Sequence, residues 1–233
     1  NSWICPYSQA MNGGSVLFHF ANVSIGTNAG VMADGGGFRS FGTAVYGYGQ
    51  GVSAGSRGGG AGYGGKGGRG ENPAATGGNT YGSNRAPTHA GTGGAYGYEW
   101  GAGNADGGGS VQIIASNVVC NGIISANGRD AGNLYGGGGS GGGIFITCKA
   151  FAGTNGIVRA NGGAGASVGG GGGGGRIAIG VNLDEAQRAQ LLAGEEIPGL
   201  SLYAQDGRFV GTLSATNGTG AYAPKAEVGT KTF

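Results

Sequence analysis

The sequence predicts an all-β fold: a glycine-rich β-solenoid or stacked β-sandwich with polyglycine-II-like segments, one short C-terminal helix and a terminal hairpin. Three observations carry that prediction. Glycine supplies 63 of the 233 residues, far above the ~7% of ordinary globular chains, yet without the third-residue period of collagen. Four segments overlay on one another, each opening on glycines and then alternating apolar with other residues. Charged residues make up 10% of the chain and hydrophobic ones 38%, whereas disordered chains are charge-rich and apolar-poor.

The repeats begin at Gly13 ("GGSVLFHFANVSIGTNAGVMADGG"), Gly108 ("GGSVQIIASNVVCNGIISANGR"), Gly141 ("GGGIFITCKAFAGTNGIVRANGG") and Gly173 ("GGGRIAIGVNL"). Side chains of a strand alternate between its two faces, so parity assigns Val16, Phe18 and Phe20 to one face. Val111 and Ile113, then Ile144, Ile146 and Cys148, then Ile177, Ile179 and Val181 follow on the same face. Val31, Ile124 and Val158 match in the second half of each unit. A unit of ~33 residues cannot bury its own apolar face, so equivalent positions must stack as ladders. Asn-Gly pairs at Asn121, Asn127, Asn155 and Asn161 are expected to supply positive-φ corners.

Between the first and second units, residues 37–107 form an insertion with Tyr-Gly-Tyr triplets at Tyr46/Tyr48 and Tyr96/Tyr98. An unstructured loop of that length is unusual in a compact domain. The insertion is expected to add extended glycine segments to the array, or to lie against a neighbouring subunit with its tyrosines as anchors. The seven-glycine run at 169–175 reads in the same way, because backbones without Cβ atoms can approach closely and bond laterally.

Beyond the fourth unit, "NLDEAQRAQLLAGEEIPG" predicts a helix with Asn182 as N-cap, Asp184 and Glu185 in the first turn, and Gly194 as the stop. Asp206-Gly207 between alternating residues predicts a hairpin. This divides the chain into a glycine-rich β-repeat domain at 1–196, carrying the insertion, and a hairpin and tail at 197–233 that serve as an assembly strand or linker.

The stretch from Gly136 to Val181 resembles the glycine-rich repeats of large secreted bacterial surface proteins. There a Gly-Ser-Gly-Gly strand, a corner such as "ISANGR" or "VRANGG", and a glycine run before Arg-Ile-Ala-Ile recur in that order. The likeness covers 108–182 well and 13–36 weakly. It implies an extracellular β-solenoid-like module with no catalytic residues to transfer. The glycine runs alone are more distantly similar to polyglycine-II bundle proteins, which lack such Val/Ile ladders.

Candidate chemistry is sparse. His19 and His89 have no acidic neighbours at ligand spacing, so neither a metal nor a cofactor is expected. No carboxylates converge in the manner of a glycosidase, and an enzyme is not the expectation. A net charge of +2 with scattered Lys and Arg excludes a phosphate-binding surface for nucleic acid. No apolar run reaches the ~20 residues of a membrane span. Cys5, Cys120 and Cys148 permit one disulfide of undetermined pairing plus a free thiol. Tyr46, Tyr48, Tyr96, Tyr98 and Trp100 are the candidate contact residues. The start at Asn1 fits either a mature chain that has lost a leader or a fragment of a larger chain, and the composition fits an extracellular or cell-surface setting. The function expected is a self-assembling structural protein, its partner a further copy of itself, forming filaments or surface fibres through stacked repeats and exchanged terminal segments. An adhesin or glycan-binding module, with a glycan or cell-surface ligand, is the alternative.

Overall fold

Strict apolar alternation fixes where the strands fall. The computed structural model describes residues 1–9, 11–41, 44–97, 105–132, 134–195, 197 and 208–232, with backbone alone at 41, 44 and 45. In chain order its elements are β1 (Trp3–Ile4), β2 (Ser15–Ile25), β3 (Gly30–Met32), β4 (Ser40–Phe41), β5 (Ala44–Val45), β6 (Ser53–Ala54), β7 (Arg57–Gly58) and β8 (Ser110–Cys120). There follow β9 (Ile123–Ser125), β10 (Gly143–Cys148), β11 (Ala150–Ala152), β12 (Ile157–Arg159), β13 (Arg176–Val181), α1 (Glu185–Leu192), β14 (Thr212–Ser214) and β15 (Thr230–Thr232).

Two parallel sheets hold most of these strands. One runs β1-β3-β9-β12-β14; the other runs β2-β8-β10-β13-β15, with β11 beside the second half of β8. The pairs β4/β5 and β6/β7 form small antiparallel ribbons in the insertion. Register places Val16, Val111, Ile144 and Ile177 in one row, and Val31, Ile124, Val158 and Leu213 in another. These rows enclose the main core, in which Ile113, Ile146 and Ile179 are also buried. Each such side chain contributes about 1.5–3 kcal/mol on burial, so the ladders are the main source of the fold's stability.

The expected plain all-β solenoid or stacked sandwich, with its polyglycine-II-like segments and terminal hairpin, is corrected by these sheets. The large sheets are wholly parallel and carry a helix on one outer face, where Leu191 packs with Phe145, Ala178 and Ala86 in a second small core. A solenoid is quasi-one-dimensional, each repeat touching only its neighbours. Here the insertion bonds two later units at once: Ala61 N–H donates to Gly138 O at 3.0 Å, and Gly173 N–H donates to Ala61 O at 2.8 Å. Residues 206 and 207 of the expected hairpin lie outside the described residues. The strands after them are not hairpin partners, since β14 pairs with β12 and β15 with β13, each in parallel. The tail therefore extends both sheets from within the chain.

The glycine segments form a layer of their own. Residues 136–142 and 169–175 are buried and carry no strand, and their amides bond sideways, as in Gly138 N–H to Gly170 O at 2.9 Å and Gly68 N–H to Gly171 O at 2.8 Å. A Cβ on Gly60 would overlap the carbonyl oxygen of Gly171. Only glycine allows that approach.

Local chemistry departs from expectation at two places. Asn28, Ser56 and Asn182 are the non-glycine residues with positive φ among those described, so the Asn-Gly corners turn without it. Three of these asparagines act through side chains instead: Asn121 Oδ1 accepts from Thr154 N–H (2.9 Å), Asn127 Oδ1 from Asn161 N–H (2.8 Å), and Asn161 Oδ1 from Thr216 N–H (3.0 Å), while Asp34 Oδ1 accepts from Asn127 N–H (2.7 Å) at the head of the row. The helix N-cap is Asp184, not Asn182, and Gln187 completes its capping box.

Candidate functional site

Both sheets end, on the N-terminal side, in strands with one edge unpaired among the described residues. These are β1 and the 11-residue β2. β2 pairs in register with β8 over its whole length, yet it is exposed where β8 is buried, because no further strand lies beyond it. Phe18 and Phe20 stack with ring centroids 6.3 Å apart. With Ile4, Val23, Ile25 and Val31 they line an open groove of about 330 Å³ between the sheet edges. Trp3, Tyr7, Met11 and Leu17 of the same N-terminal stretch are exposed as well; Leu17 and Phe20 are each 56% exposed, on opposite faces of β2. Before Asp34 the sequence contains no Asp, Glu, Lys or Arg. This end therefore combines exposed apolar side chains with neutral polar ones such as Ser15, Asn22 and Ser24, and brings no acidic, Lys or Arg side chain. A contiguous exposed apolar patch marks an interaction surface.

The opposite end finishes in two short edge strands, β14 and β15, and carries a charge. Register places Lys231 in the inward row of Val16, Val111, Ile144 and Ile177. Its ammonium reaches across to the Leu213 carbonyl at 3.4 Å. An inward charge at a short edge strand blocks edge-to-edge pairing, and the lysine stem covers apolar surface on the way.

Of the candidate contact residues, Tyr46, Tyr48 and Tyr96 lie among the described residues. Tyr48 is 71% exposed and meets Phe38, Tyr81 and His89 at centroid distances of 5.9, 5.4 and 5.9 Å. Tyr96 is half-buried elsewhere, where its carbonyl accepts from Ser53 Oγ at 2.5 Å. Tyr46 is half-buried, its amide donating to the Arg39 carbonyl at 3.2 Å. Tyr98 and Trp100 lie outside the described residues. Sequence reading missed Tyr63 and Tyr81. Tyr63 is fully buried with the Arg176 guanidinium 5.5 Å from its ring centroid, and burial raises the pKa of both phenols. The tyrosine content of the insertion therefore serves its packing as well as its surface.

Cys5, Cys120 and Cys148 are three separate thiols, so the disulfide left open by the sequence does not form. Cys5 is exposed. Burial pushes the Cys120 thiol up to about 11 and the Cys148 thiol to about 12. Asp106, the most buried carboxylate described, is raised by burial and partly compensated by the Ser40 N–H and by Arg129 and Arg39, 3.8 and 3.7 Å away. It fixes the start of the insertion. Three Gly-x-Ser-x-Gly matches, at Ser53, Ser140 and Ser167, lie away from the strand-to-helix turn that a nucleophile elbow needs. No group of three His, Cys, Asp or Glu capable of holding a metal occurs among the described residues. No described helix is long and apolar enough to cross a membrane. No family model matches the chain, and no curated protein or solved structure matches it.

Proposed function

We propose that this chain is a structural, self-assembling protein of the cell exterior whose copies join into filaments or surface fibres. One observation carries the reading: an end with exposed apolar side chains and no acidic, Lys or Arg side chain, at which two parallel sheets stop with unpaired edges. Such edges are templates for adding another chain. The backbone-bonded glycine layer supports it as well, because it makes a rigid body without using charged side chains. Since β14 and β15 pair inside the chain, the assembly contact is assigned to the β1/β2 end and not to an exchanged tail. The extracellular setting rests on the scarcity of charge and the abundance of Gly, Ser, Thr, Asn and Tyr. Electron microscopy of the purified protein at rising concentration tests the proposal. Assemblies of uniform width are expected, and dispersed single particles up to the highest concentration would overturn it.

A second reading, glycan binding, is favoured by Tyr48, which presents an exposed ring on a platform of Phe38, Tyr81 and His89. Replacement Tyr48→Ala would abolish attachment to a glycan array while leaving the fold intact. Unchanged attachment, or none by the parent protein, would remove that reading.

A further inference from the structure

Building on the self-assembly just proposed, we infer that the first assembly step joins two copies open end to open end about a two-fold axis, with β2 of one copy antiparallel to β2 of the other. Three features choose this occupant over a head-to-tail neighbour. The first is length: the far edge offers only the three residues of β15 to the eleven of β2, whereas two β2 strands match each other by identity. The second is charge. A head-to-tail neighbour would bring Lys231, at the inward position of the far edge, against the apolar row headed by Val16. Two open ends meet without like charges, because residues 1–33 contain no Asp, Glu, Lys or Arg. The third is area. Large side chains bury ~150–250 Å² each, so the exposed parts of Trp3, Ile4, Tyr7, Met11, Leu17 and Phe20 amount to roughly 700 Å² per copy, and an interface that covered all of them would approach the ~800 Å² per partner of a stable one.

A two-fold contact is self-complementary and closes on itself, so this pair is the building block of any larger assembly. Lys231 restrains growth from its outer ends.

Sedimentation velocity of the full chain tests the inference, with circular dichroism to establish that each variant folds. The parent protein is expected to show a monomer–dimer equilibrium at low concentration, with larger species built from the dimer as concentration rises. Leu17→Lys and Phe20→Lys, both on exposed positions of β2, are expected to weaken the dimer tenfold or more. Lys231→Ile is expected to lower the concentration at which the longer assemblies appear tenfold or more. Single cysteines placed at positions 16 to 24 in a Cys5→Ser background should give self-cross-linked dimers near one position only, which a head-to-tail contact cannot produce. Assembly that persists in folded Leu17→Lys and Phe20→Lys would overturn this interface and leave the self-assembly proposal standing. A parent protein that stays monomeric at every concentration would overturn both.

Discussion

A methyl group on Gly60 would meet the carbonyl oxygen of Gly171, while one on Gly26 would meet nothing within 4 Å. The two positions therefore separate glycine needed for close approach from glycine that is merely present. Gly60→Ala should cost more than ~3 kcal/mol, since neither backbone can yield without breaking the layer, whereas Gly26→Ala should stay within ~0.5 kcal/mol. Urea midpoints of the two variants check this, and equal midpoints would contradict it. The thiols give a second prediction. Cys120 and Cys148 titrate from an ordinary 9.0 up to about 11 and about 12, so the folded state holds their protons more tightly than the unfolded state does. Stability is then complete below about pH 9 and falls as pH rises toward the folded values, by up to ~1.4 kcal/mol per pH unit for each thiol inside its window. Denaturation at pH 7, 9 and 10 should show that decline, with Cys148→Ala flattening it. A thiol reagent should modify Cys5 alone in the native protein; native labelling of all three would contradict the burial of the other two.

Helix α1 shows how local signals and packing divide the work. Its position followed from the polar cap, the acidic first turn and the Gly194 stop, yet Asn182 adopts φ 58 and the cap falls two residues later, at Asp184. Asp184→Ala should cost about 1 kcal/mol. Leu191→Ala, which empties the contact with Phe145 and Ala178, should cost about 2–4 kcal/mol. Thermal unfolding of the two variants would rank them, and a larger loss at Asp184 would mean the helix is held by its cap and not by its packing. The long strands were legible because period-two alternation is a property of each segment alone: Val111, Ile113, Ile144 and Ile146 stand on the buried face that parity assigns them. β14 and β15 were not legible. Their partners β12 and β13 lie more than 50 residues earlier, and nothing in Thr212–Ser214 or Thr230–Thr232 marks a parallel partner, whereas Asp206-Gly207 spells a local turn.

At the scale of the whole molecule, the two apolar sheets are one half of the structure and the glycine layer is the other. Glycine runs carry no side-chain pattern, so the sequence could suggest that residues 58–70, 136–142 and 169–175 pack together but not which amide meets which carbonyl. The solenoid expectation failed there, because the insertion ties separate units to one another sideways, whereas each repeat of a solenoid touches only its neighbours. The open end was only half visible: the apolar parity of β2 reads directly, but its exposure depends on having no neighbour beyond it. The aromatic cluster of Tyr48, Tyr63 and Tyr81 was not legible for a related reason, since its members gather through loops whose path no local signal records. The measurement that bears most directly on this picture is amide hydrogen exchange, read residue by residue, across 169–175. Donors such as Gly170 and Gly172, bonded to Gly58 and Gly163, should exchange as slowly as the amides of β10. Exchange at open-chain rates would mean that the glycine layer is not a folded part of the protein.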